Sequence, residues 1–156
     1  MRRLFSIIST LLLITLIGMG CISFKQPIKL PPTQGLMGQV FEQKGNAMPQ
    51  KGKPISKGKG YETRIYVFEP TTMTSVTALA GGLYTKPATQ LLGTFPTDST
   101  GHFSISLAPG KYSILVGYEG AYFVPFFNQY NELAVVQVLP SLFQSMDVII
   151  NVKASF

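Results

Sequence analysis

The stretch from residue 97 to residue 116 constrains the fold most, because apolar and polar side chains alternate along it. Two runs of alternating apolar residues flank a turn: Phe103, Ile105 and Leu107 before it, and Tyr112, Ile114 and Val116 after it. A period of two is typical of half-buried strands, whose successive side chains point to opposite faces. The stretch therefore predicts a β-hairpin in an all-β fold.

Two turns are predicted around these strands. In the segment Asp98-Ser-Thr-Gly101, the carboxylate can accept backbone N–H groups and the glycine can take a left-handed conformation. Pro109 and Gly110 form a second turn pair, in which proline presets φ and glycine tolerates a positive φ. We interpret all four residues as structural.

Short apolar runs separated by turn residues continue along the rest of the chain. Further strands are predicted at 36–41, 61–69, 89–95, 133–139 and 144–152. In the last of these, one face is expected to carry Met146, Val148, Ile150 and Val152. About seven short strands, with turn signals every 8–12 residues, predict a two-sheet β-sandwich over residues 35–156.

The amino-terminal segment has the order of features found in a secretory signal peptide. Arg2 and Arg3 precede an uncharged, Leu- and Ile-rich run, and small residues follow before Cys21. We therefore predict a signal peptide over residues 1–20. The apolar run is short for a permanent membrane span.

The end of this segment, Ile17 to Cys21, resembles a bacterial lipoprotein lipobox of the relaxed, Bacteroidetes type. The resemblance implies cleavage before Cys21 and a lipid on that cysteine, which would attach the chain to the outer membrane. An ordinary signal peptide beside a free cysteine, or an uncleaved anchor, are the alternatives. Residues 21–34 contain three prolines and predict an extended tether. Since no acidic run follows Cys21, the periplasmic face is favoured over the cell surface.

The body of the chain contains a set of short motifs. They are Gly38-Gln39-Val40, Lys53-Pro54-Ile55, Ile65-Tyr66-Val67, Thr97-Asp98, Gly101, Phe103, the run from Leu107 to Tyr112, and Ile114. Together they show a resemblance to the carboxypeptidase regulatory-like domain. It implies a seven-stranded, prealbumin-like (transthyretin-like) sandwich that serves as a non-catalytic accessory or binding module. The last six residues, 151–156, also resemble the carboxyl terminus of small Bacteroidetes lipoproteins with this domain.

The sequence offers few residues for catalysis or metal binding. It has one cysteine and one histidine, and its acidic residues are scattered singly. We interpret His102 as an exposed strand residue, although Asp98 lies within reach of it. A hydrolase with the transthyretin-like fold uses several histidines and an arginine, whereas the only arginine after the signal segment here is Arg64. We therefore expect neither an enzyme nor a cofactor or metal, and keep a hydrolase as a remote alternative.

Two surface segments are candidates for binding. One is basic and has no acid between residues 44 and 60; its candidate contacts for an anionic partner are Lys44, Lys51, Lys53, Lys57 and Lys59. A solvated loop explains these lysines equally. The other is the aromatic loop 118–131, whose candidate ligand contacts are Tyr118, Tyr122, Asn128, Tyr130 and Asn131. The phenylalanines of this loop, Phe123, Phe126 and Phe127, are expected to cap an open end of the core.

Taken alone, the sequence favours a lipid-anchored β-sandwich that acts as a binding or scaffolding accessory of the bacterial outer membrane. Its partners would be the membrane, through the lipid on Cys21, and an envelope protein or a glycan. The net charge of +6 comes without any nucleic-acid-binding motif, so no nucleic acid is expected. The alternative function is a carbohydrate-binding module that uses the aromatic loop.

Overall fold

A computed structural model describes residues 33–48, 52 and 56–155 of the chain. In this part the strands are β1 Gly35–Asn46, β2 Lys59–Gly60, β3 Arg64–Phe68, β4 Leu83–Tyr84, β5 Leu91–Pro96, β6 His102–Ser106, β7 Gly110–Tyr118, β8 Ala121–Phe123, β9 Val135–Val138, β10 Phe143–Ser145 and β11 Val148–Ser155. Two single 3-10 turns, Met73–Ser75 and Ala80–Gly82, lie between β3 and β4. The prediction of an all-β fold is confirmed. The predicted signal peptide, Cys21 and most of the tether lie outside the described residues.

The first sheet is built around β1. Its first half pairs with β6 on one side and, in parallel, with β10 on the other. Its second half pairs with β2 and, in parallel, with β11 on the same two sides. Leu36 and Val40 are buried, and they share the inward face of this strand. The strand predicted at 144–152 is therefore divided into β10 and β11, which follow β1 one after the other.

The second sheet has the order β4-β8-β7-β3-β5, and β9 also pairs with β7. Its central strand β7 contains the run Ile114, Leu115 and Val116, all of them buried. Burial of consecutive residues means that both faces of this strand are covered. The two coverings are different clusters of side chains.

The main core contains apolar side chains from both sheets. The first sheet contributes Leu36, Val40, Phe103, Ile105, Val148 and Ile150, and the second contributes Ile65, Val67, Ile114, Val116, Phe123 and Val138. As predicted, Val148 and Ile150 share a face, and Met146 and Val152 pack against the same cluster. The period-two pattern thus identified the inward side chains correctly.

A second, smaller cluster covers the opposite face of β3 and β7. It contains Phe68, Leu115, Val124, Leu133 and Ala134. Residues of the connections 69–82 and 124–134 pack onto the sheet here. The expectation that three phenylalanines cap the core holds only for Phe123. Phe126 and Phe127 are 41% and 45% exposed, because their segment crosses the outer face of the sheet instead.

The predicted hairpin of β6 and β7 is wrong. Among the described residues β6 pairs with β1, whereas β7 pairs with β3, β8 and β9, so the two strands belong to different sheets. Alternation identifies the buried face of a strand, but it does not identify the strand that pairs with it. The Pro109 turn is a crossing between sheets, and Gly110 begins β7 without a positive φ.

The turn between β5 and β6 also crosses from one sheet to the other. Asp98 Oδ1 accepts hydrogen bonds from the backbone N–H groups of Thr100 and His102, each at 2.8 Å. The Thr100 hydroxyl also donates to it, at 2.7 Å. These bonds, with that of the Thr100 hydroxyl foremost, lower the pKa of Asp98 below its usual value. Gly101 closes the turn at a φ of +86°.

Gly101 is required at its position for two reasons. Its positive φ disfavours L side chains, and a Cβ built on it would lie 2.2 Å from the carbonyl oxygen of Val40. We expect Gly101→Ala to lower the free energy of unfolding by about 3 kcal/mol, as measured by urea denaturation.

Gly120→Ala is the matched control, since Gly120 has a φ of +82° with no atom within 4 Å of the built Cβ. Only the conformational cost applies there, about 1 kcal/mol. Equal losses at the two positions would show that the contact with Val40 does not matter.

Candidate functional site

A cavity of about 270 Å³ opens where β3 begins and β7 turns into β8. Its lining includes four tyrosines, one arginine and two glycines: Tyr61, Tyr66, Tyr118, Tyr122, Arg64, Gly117 and Gly120. It combines aromatic surface with polar groups, as small-molecule sites do. We define it here as the tyrosine cavity.

Gly117 forms the floor of the tyrosine cavity. A Cβ on this residue would lie 3.0 Å from the Tyr66 ring and 3.5 Å from the Thr63 hydroxyl. The Thr63 hydroxyl donates a hydrogen bond of 2.5 Å to the Gly117 carbonyl, which anchors the start of β3 to β7. Because Gly117 has no side chain, the Tyr66 ring packs directly against its backbone.

Tyrosine rings form the walls of the cavity. The ring centroids of Tyr66 and Tyr122 lie 5.0 Å apart in an edge-to-face arrangement, which aromatic pairs prefer. Both rings are half-buried, and burial raises the pKa of the Tyr122 hydroxyl above its usual value. Within the described residues, no protein group hydrogen-bonds the hydroxyls of Tyr61, Tyr66 or Tyr122. These three hydroxyls are available to a ligand.

Tyr118 forms the inner wall and is only 2% exposed. Its hydroxyl donates to Glu42 Oε1 at 2.7 Å, so it is not available to a ligand. Tyr118 was predicted from the sequence to be a ligand contact. Burial and this bond to a carboxylate raise the pKa of Tyr118. Because β1 carries Glu42 and β7 carries Tyr118, the bond joins the two sheets.

The Glu42 carboxylate receives a second partner, Lys44, whose Nζ lies 2.8 Å from Oε2. Burial by itself raises the pKa of Glu42, but the hydrogen bonds from Lys44 and Tyr118 together outweigh it. The pKa of Glu42 therefore lies below its ordinary value of 4.5. The carboxylate stays charged beside the core because two donors hold it.

A two-residue turn forms the rim of the cavity. Glu119 and Gly120 both have positive φ, at 48° and 82°, and Tyr118 pairs with Ala121 across them. A hairpin of this kind matches the twist of its strands. The Glu119 carboxylate forms an ion pair with Lys153 of β11, and this hydrogen bond raises the pKa of Lys153.

Arg64 also lines the cavity and is exposed. Within the part of the chain that the structure describes, it takes part in no ion pair. The tyrosine cavity therefore contains a cation that has no counter-ion among the described residues, and a carboxylate that is paired with Lys153.

The remaining predicted ligand contacts lie apart from the tyrosine cavity, in the connection from β8 to β9. Asn128 Oδ1 accepts from the backbone N–H groups of Tyr130 and Glu132, and Asn128 Nδ2 donates to the Glu132 carboxylate at 2.5 Å. Asn131 has a φ of +57°, and its carbonyl accepts from Met73. Both asparagines thus shape the loop, while the Tyr130 ring is 70% exposed.

The tertiary structure brings acids to the basic segment. Lys44 pairs with Glu42, and Lys57 pairs with Asp147 at 2.9 Å, an interaction that lowers the pKa of Asp147. Lys59 is exposed beside a second cavity, of about 400 Å³. Lys51 and Lys53 lie outside the described residues. Two of the predicted anion contacts are therefore already paired with carboxylates.

His102 is exposed, as expected for the outward face of β6. Its Nδ1 lies 2.7 Å from the Thr100 hydroxyl and 3.7 Å from Asp98 Oδ2. The Asp98 carboxylate is near, but it already accepts the hydrogen bonds that form the turn. In the described ranges, no three His, Cys, Asp or Glu side chains are grouped to hold a metal ion.

Comparisons with known protein families, with characterised proteins and with solved structures find no match to this chain. Among the described residues, no helix has the length and apolar character needed to cross a membrane.

Two of the residues that line the tyrosine cavity, Tyr118 and Tyr122, were predicted from the sequence as ligand contacts. Arg64, Tyr66 and Gly117 were not. The alternation in β3 does carry a signal, because it places Tyr66 on the face opposite Ile65 and Val67. The neighbouring position of Gly117 depends on strand pairing, which no local pattern encodes.

The Tyr118–Glu42 bond has a measurable contribution to stability. Tyr118→Phe removes one donor from a mostly buried carboxylate, so we expect the free energy of unfolding to fall by about 2 kcal/mol near neutral pH. Tyr112→Phe is the control, because the Tyr112 hydroxyl donates to an exposed neutral acceptor, the Ala108 carbonyl. Urea denaturation measures both losses.

The fall in the free energy of unfolding caused by Tyr118→Phe should depend on pH. Because the pKa of folded Glu42 lies below 4.5, the carboxylate stabilises the fold above that pH, and the contribution disappears as the pH falls through the folded pKa. Tyr118→Phe should therefore cost less at about pH 3 than at about pH 7. A loss of equal size at both pH values would contradict this account of Glu42.

Proposed function

We propose that this chain is a non-catalytic binding module, held at the bacterial outer membrane by a lipid on Cys21. The observation that carries the binding role is the tyrosine cavity, where three tyrosine hydroxyls and the Arg64 guanidinium have no partner among the described residues. Such preformed concave sites, lined by aromatic side chains and a few polar groups, are typical of ligand binding. Scaffolding of an envelope protein is the related role for the same chain.

The proposed fold is a prealbumin-like β-sandwich of the carboxypeptidase regulatory-like type. Two sheets that contribute to one core support it. The crossing turn at Asp98 and Gly101, which lies in the part of the chain that resembles this family, supports it as well. The proposal makes the domain an accessory module that performs no chemistry of its own.

The proposed anchor rests on the lipobox-like end of the apolar segment. Several acyl chains, at about 0.8 kcal/mol per buried CH₂ group, hold a protein at a membrane without measurable dissociation. The missing acidic run after Cys21 favours the periplasmic face of the outer membrane.

Metabolic labelling tests the anchor. The full chain, expressed in a bacterium fed a clickable fatty acid, should carry the label, and Cys21→Ser should remove it because no acceptor thiol remains. Gel fluorescence after the click reaction measures both. An unlabelled parent chain, or a label that survives Cys21→Ser, would contradict the proposal.

A carbohydrate ligand is the second candidate function, and the tyrosine walls favour it. Aromatic faces stack on the C–H surface of sugars, and phenolic hydroxyls hydrogen-bond to sugar hydroxyls. Tyr66 and Tyr122 offer both kinds of group in one cavity. Tyr130 of the aromatic loop lies outside it.

Hydroxyl deletions test this candidate without removing the rings. We expect Tyr66→Phe and Tyr122→Phe to weaken glycan binding about tenfold each, the effect of losing one good hydrogen bond, and to leave the melting temperature unchanged. Tyr130→Phe is the control and should bind like the parent chain on the same glycan array. If only the Tyr130 variant binds more weakly, the ligand sits on the aromatic loop instead.

A further inference from the structure

We propose that the tyrosine cavity binds an anionic saccharide, whose carboxylate or sulfate group is recognised by Arg64. This inference rests on the carbohydrate-binding candidate above and adds the charge of the ligand. Its basis is the pairing pattern of the charged side chains around the cavity.

The charge of Arg64 has no partner among the described residues. The full chain carries a net charge of +6, and its described residues contain seven basic and seven acidic side chains. Lys44, Lys57 and Lys153 each pair with a carboxylate. Within the described residues, Arg64 takes part in no ion pair, like Lys59, Lys86 and Lys111, and of these four residues only Arg64 lines the cavity.

The guanidinium group of Arg64 is suited to bind an anion. Its planar fork of N–H donors matches the two oxygens of a carboxylate or two oxygens of a sulfate. The hydroxyls of Tyr61, Tyr66 and Tyr122 add donors in the same cavity. A ligand with an anionic group and several oxygen acceptors satisfies this donor-rich set better than a neutral one does.

Glu119 supplies the carboxylate that lines the cavity. By itself it would repel an anionic ligand. Its ion pair with Lys153 compensates its charge and directs the carboxylate toward β11. The cavity therefore keeps a net positive character on the side of Arg64.

The size of the tyrosine cavity limits the part of a ligand that it can hold. The volume of about 270 Å³ lies just below the range of about 300–1,000 Å³ that holds drug-sized ligands. A volume of this size accommodates about one sugar ring beside the tyrosine rings. The rest of an oligosaccharide would extend over the exposed rim.

Calorimetric titration of the full-length chain in detergent micelles tests the inference with matched probes. The probes are tetragalacturonate, its methyl ester, which is the same sugar without charge, and a sulfated galactan tetrasaccharide. We expect at least one anionic probe to bind about tenfold or more tightly than the ester, which is the discrimination a charged hydrogen-bonded pair provides. The two anionic probes distinguish a carboxylate from a sulfate ligand.

Three variants assign the effect to Arg64. Arg64→Gln should abolish the preference for the anionic probe, and Glu119→Gln should tighten its binding because a like charge is removed. Lys111→Gln is the charge-matched control, since Lys111 lies six residues from Gly117 along β7, about 20 Å away. All variants change exposed side chains, so unchanged melting temperatures are expected.

The outcomes separate the two levels of the proposal. Equal binding of tetragalacturonate, its ester and the sulfated probe, or a preference that survives Arg64→Gln, would overturn the anionic ligand and leave carbohydrate binding intact. No binding of any probe, together with no hit on the glycan array, would remove both. A loss as large in Lys111→Gln as in Arg64→Gln would reduce the effect to general charge attraction and overturn the inference.

Discussion

The contact between Gly101 and Val40 is the constraint on which the rest of the structure depends. At Val40, β1 exchanges its pairing with β6 for its pairing with β2. Its N–H bonds to the Gly101 carbonyl at 2.8 Å, and its own carbonyl accepts from the N–H of Tyr61 at 2.9 Å. The backbone of one residue thus joins the crossing turn, the central strand of the first sheet and the segment that leads into β3. A residue larger than glycine at position 101 cannot approach the Val40 carbonyl this closely.

The same turn positions the tyrosine cavity. The Thr63 N–H donates to the buried Thr97 hydroxyl at 2.8 Å, and the Thr97 N–H returns a bond to the Thr63 carbonyl at 2.9 Å. The Thr63 hydroxyl then reaches the carbonyl of Gly117, the floor of the cavity. Arg64 follows directly, so a turn that has only a structural role also sets the place of the proposed recognition residue. On the other side, the bond from Tyr118 to Glu42 holds the inner wall against the first sheet.

The sequence predicted the inward residues well and the pairing of the strands poorly. Alternation assigned Phe103, Ile105, Ile114 and Val116 to the core, since burial of one face leaves a period of two in the sequence. It also suggested that β6 and β7 pair, because nearby strands usually do. A crossing between sheets produces the same alternation as a hairpin, because in both cases one face of each strand is buried.

In the candidate site too, the sequence predicted single residues but not which residues lie next to each other. Tyr122 was predicted because its loop is rich in aromatic residues, whereas Arg64 and Gly117 became neighbours only through the pairing of β3 with β7.

By itself, the amino-acid sequence determined that this protein is all-β, which side chains face the core, and that Asp98 and Gly101 form a turn. These properties follow from local patterns of polarity and backbone preference, which neighbouring residues express together. Only the tertiary structure decided which strands pair, that Lys44 and Lys57 meet carboxylates, and that Arg64 and four tyrosines line one cavity. Those arrangements join residues that are distant in the sequence, and their contacts depend on the register of whole strands.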